Sequence, residues 1–152
     1  MPTITIVNDF YEDLGNGVHD LSSDSIRIAL SNTAPASESS NPTSSGNGVI
    51  ANVTQISYTN FTDDLTTDRV LQSVTWTEAS GTATLDFANF TITASGGALA
   101  SFRYIYVYND TPTSPADAII AVIDEGSTVT LADGSDYAVT INASGLLTLA
   151  AA

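Results

Sequence analysis

Apolar and polar residues alternate along most of this chain with the period of two that marks a β-strand. The clearest case is Ser101–Pro112, SFRYIYVYNDTP. In a regular strand Phe102, Tyr104, Tyr106 and Tyr108 share one side, and Arg103, Ile105 and Val107 share the other. A strand aromatic on one face and largely apolar on the other reads as a central strand buried on both sides.

The same alternation predicts strands at Ser25–Leu30, Ser73–Thr77, Ala83–Phe87, Phe90–Thr93, Ala118–Ile123, Thr128–Leu131, Tyr137–Ile141 and Leu146–Leu149. Asp124–Gly126, Ala132–Ser135 and Ala143–Gly145 carry the Gly, Asp and Asn chemistry of tight turns and read as their connectors. Thr3–Val7 alternates as a short strand or an extended arm. Asn8-Asp9 would cap one short helix over Phe10–Leu14, with Gly15 or Gly17 ending it. Val49–Ile56 reads as a strand or a short helix. Residues 63–68 read as an acidic loop.

Many short strands at near-regular spacing predict an all-β fold, an antiparallel β-sandwich with at most one short N-terminal helix. A jelly roll is the expected variety, with an immunoglobulin-like arrangement as the alternative. The chain of 152 residues reads as one domain, 1–152. It carries an extended N-terminal arm (1–9) and a flexible Ser/Pro/Gly-rich loop (36–48).

Charge narrows the partners. Seventeen acids face three arginines and no lysine, a formal charge of −14. Nucleic acid and anionic membrane surfaces need the basic residues this chain lacks, so neither is an expected partner. Large charged partners should be cationic or neutral. No apolar run is long enough to span a bilayer. Met1–Ile4 lacks the basic residues and apolar block of a signal peptide, so synthesis in the cytoplasm is the expectation.

Candidate chemistry is sparse. His19 is the sole histidine, and no Gly-x-Ser-x-Gly elbow accompanies it, so a default turn or interface role outweighs catalysis. One histidine and no cysteine argue against zinc. Calcium takes oxygen alone, and Asp63, Asp64 and Asp68, or Asp133 and Asp136, are its candidates; neither group has the spacing of a calcium loop. Glu12, Glu38, Glu78 and Glu125 are the only glutamates, too few and too scattered to favour a glycosidase. No catalytic, metal or cofactor site is expected, and the protein reads as a non-enzyme. Arg27 and Arg103 lie in predicted strands. Each should pair with a carboxylate, within the chain or across a subunit boundary, and Arg103 could also stack on a tyrosine.

Leu14–Leu21 (LGNGVHDL), Asp24–Pro35 (DSIRIALSNTAP), Ile50–Ile56, Ser95–Gly97 with Phe102–Thr111, and Asp124–Ser127 together resemble small structural proteins of tailed bacteriophages. The likeness runs in order through most of the chain. Two places depart from the pattern: Ser57–Asn60 replaces a Gly-Asn-Gly-Tyr loop, and Arg27 stands where lysine is common. Its motifs are structural, so the resemblance implies a virion component. The favoured role is a capsid decoration (cement) protein on the capsid exterior. Its implied partners are the major capsid protein and, as a homotrimer, its own copies. A tail, neck or fibre component, including a host-binding adhesin, is the alternative, and a carbohydrate-active enzyme or lectin is a third reading. The contact residues expected are Thr3, Ile4, Ile6 and Phe10 near the N-terminus, Asn41 and Pro42 in the loop, and Arg103.

Overall fold

The computed structural model describes residues 2–35, 48–65 and 67–150. Within them the chain is an all-β, antiparallel, sandwich-like fold with one α-helix and two short 3-10 turns. The strands are β1 (Thr3–Ile6), β2 (Ile26–Ser31), β3 (Phe61–Asp63), β4 (Thr75–Ala79), β5 (Thr82–Asp86), β6 (Phe90–Ala94), β7 (Phe102–Thr113), β8 (Ala116–Val129), β9 (Asp136–Val139) and β10 (Leu147–Ala150). The helix α1 spans Asn8–Gly15. No helix among the described residues is long and apolar enough to cross a membrane.

Three sheets share the strands: β1-β8-β7-β2, β10-β5-β4 and β3-β6-β9. The two four-stranded sheets of a jelly roll are therefore not the division seen among the described residues. The large sheet packs one face on the two smaller sheets. Ile28 and Leu30 of β2, Ile105 and Val107 of β7, and Ile120 and Ile123 of β8 meet Leu85, Ile92, Val139 and Leu147 in one continuous core. The opposite face carries a second, smaller cluster of Tyr104, Tyr106, Tyr108, Ala29, Ile119 and Val122, covered by Val7 and Ile50. Thus β7 is the central strand buried on both faces that its alternation predicts.

One face assignment differs. Phe102 lies in the main core with Ile105 and Val107, not with the tyrosines. The β7–β8 register jumps from Phe102↔Val129 to Tyr104↔Asp124, so residues 125–128 of β8 bulge opposite Arg103, and Phe102 lies on the other side of this irregularity from the tyrosines. A second difference is the length of β8. Asp124–Gly126, expected to be a turn, continues the strand to Val129. Asp124 Oδ1 accepts the Gly126 N–H at 2.8 Å, and Gly126 takes φ 79, so the turn chemistry is spent on a bend within the strand.

The N-terminal residues are docked onto the domain. Residues 3–6 pair antiparallel with Ile123 and its neighbours as β1, and the helix begins at Asn8. Val7 in extended conformation precedes the helix, without a side-chain cap. Asp9 instead accepts the N–H of Gly48 at 2.7 Å, tying the helix to the segment that bridges Val49 to Ala118 of β8. The Val49–Ile56 stretch forms only the 3-10 turn Ile50–Asn52.

Candidate functional site

The least satisfied backbone of the large sheet is the outer edge of β1. β1 pairs with β8 on one side, and no described strand pairs with the other. The register matches Ile6 with Ala121 and Ile4 with Ile123, and Val7 N donates to Ile120 O at 3.0 Å. In an antiparallel ladder hydrogen-bonded and open pairs alternate, so Thr3 and Thr5 bond β8 while the N–H and C=O groups of Ile4 and Ile6 point outward. β1 reads Thr-Ile-Thr-Ile and carries none of the charges that usually blunt an exposed edge.

A groove of about 520 Å³ runs beside this edge, between β1 and β9. Ile4, Ile123, Tyr137, Val139 and Ile141 line it, with Glu125 on its rim. Ile123, Val139 and Ile141 belong to the main core, so the groove is where that core opens to the surface. Ile4 is 42% exposed, one of two large apolar side chains so exposed among the described residues. Glu125 Oε2 accepts the Tyr137 hydroxyl, and burial together with Glu125 pushes the Tyr137 phenol above its usual range.

The expected contact residues separate in space. Thr3 and Ile4 are exposed on β1, and Ile6 is half-buried against the core. Phe10 corrects the expectation: it is 0% exposed, packed in the main core and 5.3 Å from the His19 ring, so it offers nothing to a partner. Its helix face turns inward because α1 packs on β8. Asn41 and Pro42 lie outside the described residues. Arg103 makes a two-pronged pair within the chain, Nε to Asp124 Oδ1 at 2.7 Å and Nη2 to Oδ2 at 3.0 Å. Its guanidinium also lies 5.2 Å from the Tyr104 ring centroid. The pair holds the Asp124 carboxyl below its ordinary value. Arg27 pairs likewise with Asp110 at 2.9 Å.

The candidate chemistry is absorbed by structure. Asp63 Oδ1 accepts Leu65 N–H, and Asp64 Oδ1 accepts Thr91 N–H. Asp133 Oδ1 accepts the N–H groups of Gly96 and Gly97, and Asp136 accepts the Thr93 hydroxyl. Glu78 accepts the Gly81 N–H. Among the described residues no three His, Cys, Asp or Glu side chains gather as a metal site.

His19 is buried beside the fully buried Asn109. One N–H of the Asn109 amide donates to His19 Nδ1 at 3.1 Å and the other to Asp24 Oδ2 at 2.6 Å. Asn109 Oδ1 accepts Thr111 N–H at 3.0 Å. Nδ1 is thus the acceptor, which leaves the imidazole proton on Nε2, a buried atom with no partner. Burial lowers the His19 pKa to about 4, against the pull of Asp24. A neutral histidine held by an amide stitches the 19–25 loop to β7, and among the described residues no hydroxyl hydrogen-bonds it.

Sequence reasoning named Thr3 and Ile4 but missed the groove wall on β9. Tyr137–Ile141 alternates like any strand, and only the packing of β9 beside β1 makes it a wall. No family model matches the chain, and neither the curated proteins nor the solved structures contain a significant match to it.

Proposed function

We propose that this chain is a structural protein of a tailed-bacteriophage virion, a capsid decoration (cement) protein that seats on the outside of the major capsid shell and strengthens it. The observation that supports this reading is the pairing of a firmly buried scaffold with the unpaired outer edge of β1 and the apolar groove beside it. Such an edge and groove suit the holding of another polypeptide. The sequence resemblance supplies the particle. The charge of −14 fits a protein partner that is cationic or neutral. Several copies, as a homotrimer, would each clamp neighbouring shell subunits.

The test adds purified protein to undecorated shells and heats them. Binding and a raised disruption temperature are the expected results. Failure of both, or density confined to the tail when particles are imaged, overturns the reading. Light scattering on shell-free protein and on released decoration measures the trimer.

A further inference from the structure

We propose that the β1 edge and the β1–β9 groove form a docking site for one extended segment of a partner protein, apolar at alternate positions and flanked by lysine or arginine. The segment adds a fifth strand to the large sheet beside β1. The outward N–H and C=O groups of Ile4 and Ile6 supply its ladder. Every second side chain then enters the groove over Ile4, Ile123, Val139 and Ile141, covering the place where the core reaches the surface.

Charge decides the occupant. Among the described residues the rim carboxylate of Glu125 accepts a hydrogen bond from the Tyr137 hydroxyl and forms no ion pair. The chain has no side-chain cation left for it. Arg27 is with Asp110, Arg103 with Asp124, Arg69 lies 4.0 Å over the Tyr58 ring, and His19 is buried in its amide contact. A second copy pairing through its own β1, Thr-Ile-Thr-Ile, would bring no cation to Glu125, so charge favours a basic segment over self-pairing at this edge. A basic segment is drawn to the same edge, where its lysine can meet Glu125.

This deepens the reading of the chain as a shell-binding protein and rests on it only for where the segment comes from. The probe is the peptide acetyl-Lys-Lys-Val-Thr-Val-Thr-Val-Lys-Lys-amide, titrated into the full chain and followed residue by residue by NMR and amide hydrogen exchange. Signals of Ile4, Ile6 and Val139 should shift, and exchange at the Ile4 and Ile6 amides should slow. The same peptide with glutamate for lysine should bind at least about tenfold more weakly. One with proline at its centre should not bind, since it cannot complete the ladder. Glu125→Gln should weaken the lysine peptide by about two- to fivefold, and Ile4→Asp should abolish its binding. Ile4 is exposed, so that variant keeps the fold; were it to unfold, Ile4→Thr carries the same test.

Unchanged Ile4 and Ile6 amides, or equal binding of the lysine and glutamate peptides, overturn the proposal. So does a concentration-dependent dimer through β1 without peptide, which would make a second copy the occupant. Shell binding that survives Ile4→Asp removes this site and leaves the decoration reading standing. Peptide binding without shell binding does the reverse.

Discussion

The β7–β8 and β4–β5 pairs are both antiparallel hairpins, yet they are held by different physics. β7 and β8 run for 12 and 14 residues, and from Tyr104 to Asn109 and Ala118 to Ile123 every residue is buried. β4 and β5 have five residues each, and on β4 only Trp76 escapes full exposure. What β4–β5 has is a fitted turn. Ser80 and Gly81 take φ 53 and 82, the double left-handed conformation whose twist suits a two-residue hairpin. Burial along both strands stabilises the first pair, whereas the second is held by its turn and by two anchors, the buried Leu85 of β5 and the half-buried Trp76 of β4. Fold stability should therefore be concentrated in the large sheet, with the small one close to its margin.

Truncation probes that contrast most strongly. Ile105 is 0% exposed at the centre of β7, and Ile105→Ala should cost about 3–5 kcal/mol through lost burial and the cavity left behind. Thr77→Ala on exposed β4 should change stability by less than about 0.5 kcal/mol. Denaturant midpoints at unchanged slope measure both. Equal losses would break the comparison.

The central strand was legible because its two faces are apolar in different ways, and alternation needs no partner to be read. The side taken by Phe102 was not legible, because a bulge is a property of two strands in register and β7 alone does not encode it. Asp124–Gly126 misled for a related reason. Asp and Gly mark a local bend, and only the pairing tells whether the chain then reverses or continues. At the candidate site the exposed Ile4 could be singled out from its place in an alternating N-terminal run. The groove could not, since its walls at Ile4 and Val139 are joined only by the fold. The His19–Asn109–Asp24 contacts likewise cross 90 and 85 residues of sequence.

The small sheet has one point where it is not marginal. A Cβ on Gly145 would sit 2.6 Å from Leu85 O and 2.5 Å from Thr84 Cγ2, and Gly145 takes φ 83. The turn before β10 passes directly over the β5 backbone there, and Leu146 N donates to Leu85 O at 2.8 Å. Gly145→Ala should cost about 2–3 kcal/mol, from a strained conformation and displaced backbone together. Thermal unfolding of the variant checks it. A neutral result would show that β10 can lift away and that the small sheet is loose throughout.

Acid separates the two regions differently, because the buried histidine is tied to β7. His19 has a folded pKa of about 4 against an ordinary 6.5. Above pH 6.5 neither state holds the proton, so His19 adds no slope. Between 6.5 and about 4 the unfolded chain takes up a proton that the folded chain refuses, so stability falls as pH falls. Below about 4 both states are protonated and the loss levels off. The His19 share should be roughly 2 kcal/mol, discounted for partial solvation at the loop. It is read as the difference between the parent and His19→Gln across this window, which cancels the carboxylates common to both. Identical slopes would mean that the 19–25 loop opens before β7 unfolds.

The smallest expected effect lies at the bulge itself. Arg103 and Asp124 have side chains about a third exposed, and their pair sits where β7 and β8 fall out of register. Solvent screens such a pair, so its contribution should be well below that of Ile105. Its geometry is nevertheless specific, because a guanidinium can engage both carboxylate oxygens and an ammonium acts as a point charge. Arg103→Lys keeps the charge and loses the fork. It should lower the melting temperature less than Ile105→Ala or Gly145→Ala, with the loss larger in Arg103→Ala and smaller at high salt. A loss rivalling Ile105→Ala would mean that the bulge depends on this pair. In that case the inward turn of Phe102, and with it the contrast between the two hairpins, would rest on a surface ion pair rather than on burial.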